Sequence, residues 1–445
     1  MARFLFAAQP GVGHVAPMLP VVSRLARAGH EVVWYCGEAF RSKIEAAGAA
    51  FTPFREALDV GTAAMDELIS KRAQLKGLAQ VRFDLTHLFF GQIGRMHRDL
   101  QAILREFPAD VVVADPTILA AQTLREAGGP PNAVFSITVL GMESRDVAPF
   151  GFGLAPSATP LGRLRNRALH ALFRDLICGP ARAELRRQRA SVGVAPEPFG
   201  MFAESPFLTI QPSVPALEYP RSDLPDTLHF IGALLPDAPA SFTPPAWWEE
   251  ATAGRRRVVL VTQGTVAAQV RELIAPTLRA LAHEQDLLVI AAGVDDLAEL
   301  GPIPANARVE QFVPFKPLLP HVDVYVTNGG FGGLHYALAN GVPVVGAGTT
   351  EDKTEVNARI AYSGVGINLK TSTPTPAQVR AAVLRVLREP GYRERARAVQ
   401  AELTRHDASA EAVALLERLA ATGEPVRRLD TAVEPRRTFL PFVAR

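Results

Sequence analysis

The chain has 445 residues, more than one typical core accommodates, so its length points to two domains. Apolar residues make up 48% and charged residues 21%, the balance of an ordinary soluble globular protein. A formal net charge of +2 is too small to argue for nucleic acid, and two cysteines, Cys36 and Cys178, offer neither a zinc spacing nor a disulfide framework.

The apolar run 4–8 is too short for a secretory signal. No stretch reaches the roughly 18 to 20 apolar residues of a membrane span, so a cytoplasmic protein is expected. "RFLFAA" reads as a buried strand ending in the turn "QPGVGH". "VAPMLPVVSRLARAG" has helical periodicity and closes on Gly29, and "HEVVWYC" is a second strand. Strand, helix and strand in this order are the βαβ unit of a parallel sheet. "ADVVVAD" (109–115) and "NAVFSI" (132–137) continue it.

Residues 151–200 break that rhythm. "GRLRNRALHALFRDLICGPARAELRRQR" lines up Leu164, Ala168, Leu172 and Leu176 on one helical face and sets eight arginines against Asp175 and Glu184. Such a segment suits an anionic membrane surface. The favoured expectation is simpler: a helix packed on its own domain with solvated arginines.

"LLPDAPASFTPPAWWEEATAGRRR" is rich in Pro and Ala and reads as an interdomain linker. The pattern then restarts. "RRVVLVTQGT", "DLLVIAAG", "VDVYVTNGG" and "GVPVVGAG" are strands, and "VRELIAPTLRALAHE" is an amphipathic helix. The expected organisation is α/β, with two doubly wound Rossmann-like domains facing a cleft. An N-terminal domain covers 1–235, a linker 236–256, a C-terminal domain 257–423 and an irregular extension 424–445.

Ligands of open α/β sheets bind beyond the carboxyl ends of the strands, and the informative turns lie there. In "PGVGHVAP", His14 stands between a strand and a helix, with a pKa suited to proton transfer. Asp115 ends a strand of the same sheet and is the natural carboxylate to orient it. From position alone, turn or capping roles suit both residues equally well. In "TNGGFGG", glycines at a helix start let backbone N–H groups and the helix dipole meet a phosphate. Asp352, Lys353 and Asn357 follow the next strand, where they serve either sugar hydroxyls or the start of a helix. "TNGGFGG" lacks the G-x-G-x-x-G spacing, which sets aside a nicotinamide dehydrogenase.

These residues resemble the UDP-glycosyltransferase superfamily, inverting enzymes of GT-B fold, in particular its bacterial natural-product and glycolipid members. "GHVAPMLPVVSRLARAGHEVVW", "VTQGTV" and "EQFVPFKPLLPHVDVYVTNGGFGG" carry the resemblance, which spans nearly the whole chain. It implies His14 as general base and Asp115 as its orienting partner. It implies a donor site of Gly264, Thr265, Phe312, Val313, Asn328, Gly329, Gly330, Gly332, Gly333, Asp352 and Lys353, with Phe312 stacked on the nucleobase and the Val313 backbone at its edge. It implies neither cofactor nor metal, only a UDP- or dTDP-sugar as co-substrate.

Three positions depart from the family pattern. Asn328 stands where a histidine is usual, Tyr336 where a ribose-clamping glutamate is common, and Lys353 where a glutamine is usual. These leave the sugar and the nucleotide open. Any one of Phe89, Phe90, Ile137 and Met142 reads best as plain core, but as a group beside His14 they suggest an apolar pocket for a lipophilic small-molecule acceptor. Two other readings stand at this point: a sugar-nucleotide epimerase, and a sugar-nucleotide-binding partner protein without turnover.

Overall fold

The computed structural model describes residues 1–196, 200–235, 242–264 and 269–428. Two parallel sheets organise them. The N-terminal sheet contains β1 (Arg3–Ala7), β2 (Glu31–Cys36), β3 (Ala50–Pro53), β4 (Val111–Ala114), β5 (Asn132–Phe135), β6 (Leu208–Gln211) and β7 (Leu228–Phe230). Their spatial order is β3-β2-β1-β4-β5-β6-β7. The C-terminal sheet contains β8 (Arg257–Thr262), β9 (Leu287–Ala292), β10 (Ala307–Glu310), β11 (Val324–Thr327), β12 (Val344–Gly346) and β13 (Gly366–Asn368). Its order is β10-β9-β8-β11-β12-β13.

Both sheets are covered on their two faces by helices, which is why their strands read as continuous apolar runs. Phe4, Leu5, Phe6 and Ala7 of β1 are all fully buried, and each Phe contributes about 1.5–3 kcal/mol of burial. The expected first helix is split into Val12–Val15 and Leu19–Arg27. Pro20 sits in the first turn of the second piece, where its missing N–H has no helical partner to lose. Several strands absent from the sequence reading, among them β6, β7 and β13, are only three or four residues long.

In each sheet the strand order reverses between two neighbouring parallel strands, β1/β4 in the first and β8/β11 in the second. A crevice opens at such a point beyond the carboxyl ends. Ala7 pairs with Ala114 and Thr262 with Thr327, so the turns after these strands emerge side by side.

The helix Ala408–Thr422 follows the C-terminal sheet in sequence but packs on the other domain. Ala412, Val413, Leu416 and Leu419 share a core cluster with Phe4, Phe6, Leu25 and Val113. Val426 joins that cluster and its amide donates to the Phe207 carbonyl (2.8 Å). Chain order therefore assigns 408–423 to the second domain, whereas apolar contact assigns it to the first. The remainder of the expected extension, 429–445, lies outside the described residues.

The basic segment is helical over Pro160–Ala171 and Gly179–Ser191, joined by a π-helical turn at Leu172–Ile177. It packs on its own domain as expected, but through Asn166, Phe173, Ala181 and Leu185. Leu164, Leu172 and Leu176, read as the packed face, are exposed instead.

Candidate active site

His14 lies on the short helix Val12–Val15, just beyond β1. Its Nδ1 is 2.9 Å from Asp115 Oδ2, and Asp115 is fully buried. The same carboxylate accepts from the Gln9 amide (2.8 Å), the Thr117 amide (2.7 Å) and the Thr117 hydroxyl. With every lone-pair direction occupied, Asp115 is held rigidly. Because it faces an ionised carboxylate, Nδ1 carries the ring proton and Nε2 is left to accept one. Thr117 was missed in the sequence, although its place two residues after Asp115 is a local turn signal.

Burial alone would lower the His14 pKa. The charge and hydrogen bond of Asp115, with a smaller contribution from Asp352, outweigh it and hold the imidazole above its ordinary value. Burial would likewise raise the Asp115 pKa, but His14, Thr117 and the Gln9 amide keep it below the usual carboxylate range. The neutral form of the His14 ring is therefore lost as pH falls through a pKa above its ordinary value. Asp115→Asn removes the charge that raises it. The acid limb of kcat/KM is expected to move to lower pH and turnover to fall, as a pH–rate profile would show. An unmoved limb would assign it to another group.

In the second domain, Asn328 follows β11 and its Nδ2 donates to the Gln263 carbonyl, tying the two turns together. Among the described residues its Oδ1 is buried without a hydrogen-bond partner. Gly329 has a φ of 96°, and a Cβ there would lie 2.5 Å from Asn357 Oδ1. Asn357 Nδ2 in turn donates to the Asn328 and Gly348 carbonyls. Gly264, φ 81°, passes 3.1 Å from the Asn328 side chain by the same measure. These glycines are needed for close packing of the turns. Gly332 is different, since a Cβ there would meet open space. Gly330 caps the helix Phe331–Ala339 with no side-chain cap, which leaves the first-turn N–H groups as an anion-binding end. Gly333 packs under the Tyr325 hydroxyl. Thr265 lies outside the described residues.

Phe312 is 69% exposed while Val313 is buried, so the ring is accessible and the neighbouring backbone is anchored. Asp352 stands at the start of the helix Lys353–Ser363 but makes no side-chain capping bond. Its Oδ2 instead accepts from the Thr138 hydroxyl of the other domain. Burial raises the Asp352 pKa, against the Thr138 bond and the His14 charge. Lys353 is buried and paired with Glu351, and burial lowers its pKa to about 8. Thr138 was missed in the sequence. Its only signal was its position three residues beyond β5.

The expected acceptor residues are dispersed. Met142 lines a void of about 30 Å³ with Pro116, Ser136, Thr138, Phe202 and Glu204, room for a single water. Phe90 is fully buried among Leu85, Ile93, Phe173 and Leu185, with Phe89 packed against the same cluster. This makes Phe90 a core residue, because no ligand reaches a side chain with no exposed surface. Ile137 packs on the core around β1.

A second network joins the domains. Arg359 pairs with Glu218 across the interface and with Glu355 on its own helix, both at 2.8 Å. Glu355 Oε1 accepts from the Gly151 and Gly153 amides, and Glu218 Oε1 from the Leu140 amide. The guanidinium also lies 4.1 Å from the Tyr219 ring centroid.

Residues 275–419 match the family model for the erythromycin biosynthesis protein CIII-like C-terminal domain. The chain is 43% identical over 421 residues to 4'-demethylrebeccamycin synthase of Lentzea aerocolonigenes, covering 94% of this chain and 99% of that one. It is 32% identical to UDP-glucosyltransferase 1 of Beauveria bassiana (strain ARSEF 2860), covering 90% and 91%. Among solved structures, glycosyltransferase VinC in complex with dTDP superposes with a TM-score of 0.67 at 24% identity, covering 94% and 99%. That likeness establishes the GT-B architecture.

Proposed function

Because this chain belongs to the UDP-glycosyltransferase superfamily, we propose that it moves a hexose from a UDP- or dTDP-sugar to a hydroxyl group of a lipophilic small molecule, with inversion. Membership makes it a glycosyltransferase of natural-product type. The observation that carries the finer reading is the His14–Asp115 pair, near enough to Asp352 of the donor domain for the two charges to interact.

In the proposed reaction, His14 Nε2 takes the acceptor proton as the acceptor oxygen attacks the anomeric carbon. The bond from that carbon to the diphosphate breaks, and the diphosphate leaves with the electron pair. Asp115 stabilises the resulting imidazolium. The first-turn N–H groups of Phe331–Ala339 and the helix dipole suit the leaving charge. Asp352, free of a capping duty, is available to a sugar hydroxyl. Tyr336 packs edge-on to Phe315, with centroids 5.6 Å apart, and supplies no carboxylate for a ribose diol. That fits dTDP as readily as UDP, and the relatives' names include a UDP-glucosyltransferase and a dTDP complex.

The test is mass spectrometry of UDP-glucose and dTDP-rhamnose, supplied separately with phenolic, macrolide and sterol acceptors. The expected result is an acceptor heavier by one hexose residue with at least one donor. Tight binding of both donors with no such product from any acceptor would sink the proposal.

A further inference from the structure

The basic helical segment leaves an unpartnered apolar stripe. Leu161, Leu164, Leu172 and Leu176 are 80%, 63%, 43% and 66% exposed. Burying Asn166 in the first of these helices while exposing Leu161 and Leu164 is the reverse of what a helix resting only on its own domain would do. Arg82 donates to the Leu176 and Ile177 carbonyls and so joins the helix Gly77–Phe83 to this face, bringing the exposed Leu78 and Val81. An apolar surface of this extent marks an interaction site.

Charge decides what the face meets. Residues 160–191 carry eight arginines against Asp175 and Glu184, a net +6 in a chain whose total is +2. The rest of the chain is therefore net negative, at −4. Within the segment Asp175 is shared by Arg174 and Arg182 and Glu184 binds Arg187, and from outside it Asp146 pairs with Arg163 and Glu126 with Arg189, so four carboxylates offset eight arginines and a surplus of +4 stands. A second copy placed on the same face by a two-fold axis would oppose one positive surplus with another. Leucines ringed by arginines match instead the interfacial layer of an anionic bilayer, where acyl chains take the leucines and headgroups the guanidinium groups.

We propose that this face, centred on Leu164, Leu172 and Leu176, seats the N-terminal domain on an anionic lipid bilayer. The inference is independent of which sugar is transferred. It would place the acceptor side of the enzyme beside the phase into which lipophilic acceptors partition.

The experiment is cosedimentation of the full chain with phosphatidylcholine vesicles, with and without phosphatidylglycerol, across a salt series. Binding is expected only with phosphatidylglycerol, weakening as salt rises. The double variant Leu164→Gln/Leu176→Gln should partition about tenfold less. Arg167→Gln should weaken partitioning by about fivefold. Nucleotide-sugar binding should be unchanged in both, which shows that they fold. Equal binding to neutral vesicles, undiminished binding of the double variant, or no binding to phosphatidylglycerol would each overturn the proposal. A dimer in sedimentation velocity that the double variant loses, without vesicle binding, would assign the face to a second copy.

Discussion

Replacing His14 by alanine is expected to lower kcat by about 10²–10⁴-fold with little change in donor affinity. The imidazole belongs to the N-terminal domain, whereas the glycine turns, Phe312 and the Asn328–Asn357 lattice belong to the other. In the proposed reaction, removing the ring therefore deletes proton transfer and spares the proposed nucleotide cradle. It also leaves Asp115 with three of its four hydrogen bonds, from Gln9 and Thr117, so the turn after β4 should hold its shape. Turnover by mass spectrometry and nucleotide-sugar binding by calorimetry separate the two effects. A variant that still transfers sugar at near wild-type rate would remove His14 from the role of base, while a loss confined to donor affinity would move it to the donor site.

The second large effect concerns stability. Arg359→Met is expected to destabilise the fold by about 3–5 kcal/mol, because it strands two buried carboxylates. Glu218 and Glu355 have side-chain exposures of only 3% and 4%, so water cannot replace the lost guanidinium. Burial disfavours the Arg359 charge, but Glu218 and Glu355 outweigh it and raise its pKa, so the cation persists throughout the working pH range. The loss should appear as a lower urea midpoint or Tm. Adding Glu218→Gln should recover part of it by neutralising one stranded charge. A single variant as stable as wild type would show that the amides around the carboxylates suffice. Since Arg359 lies on the helix that opens with Asp352, the destabilised variant should also bind donor less tightly.

Much of the architecture was legible in the amino-acid pattern. Apolar runs followed by glycine turns marked β1, β8 and β11, and an apolar run ending in Asp115 marked β4, because strands covered on both faces must be apolar and the turns at their ends must pass close to other backbone. Short strands such as β13 were not legible, since three residues carry too little pattern. Phe90 was misread for a related reason: an aromatic residue in an apolar stretch looks the same whether it lines a pocket or fills a core. The helix at 160–171 was recognised, but not its packed side. The domain beneath it, rather than the leucine spacing, selects the face that is buried.

The sequence by itself determined the βαβ repeats, the placing of His14 and Asp115 at one sheet edge, and the glycines where backbone must run with positive φ or meet a neighbouring turn. All of these follow from spacing within a strand, turn and helix, which local sterics and periodicity control. The tertiary structure alone decided the rest. It set Thr138 against Asp352, 214 residues away, and Glu218 against Arg359, 141 residues away. It also returned the helix Ala408–Thr422 to the first domain. Those pairings depend on how two separately folded sheets are oriented. A local pattern states that a carboxylate or an apolar stripe needs a partner, and only the packed chain supplies one.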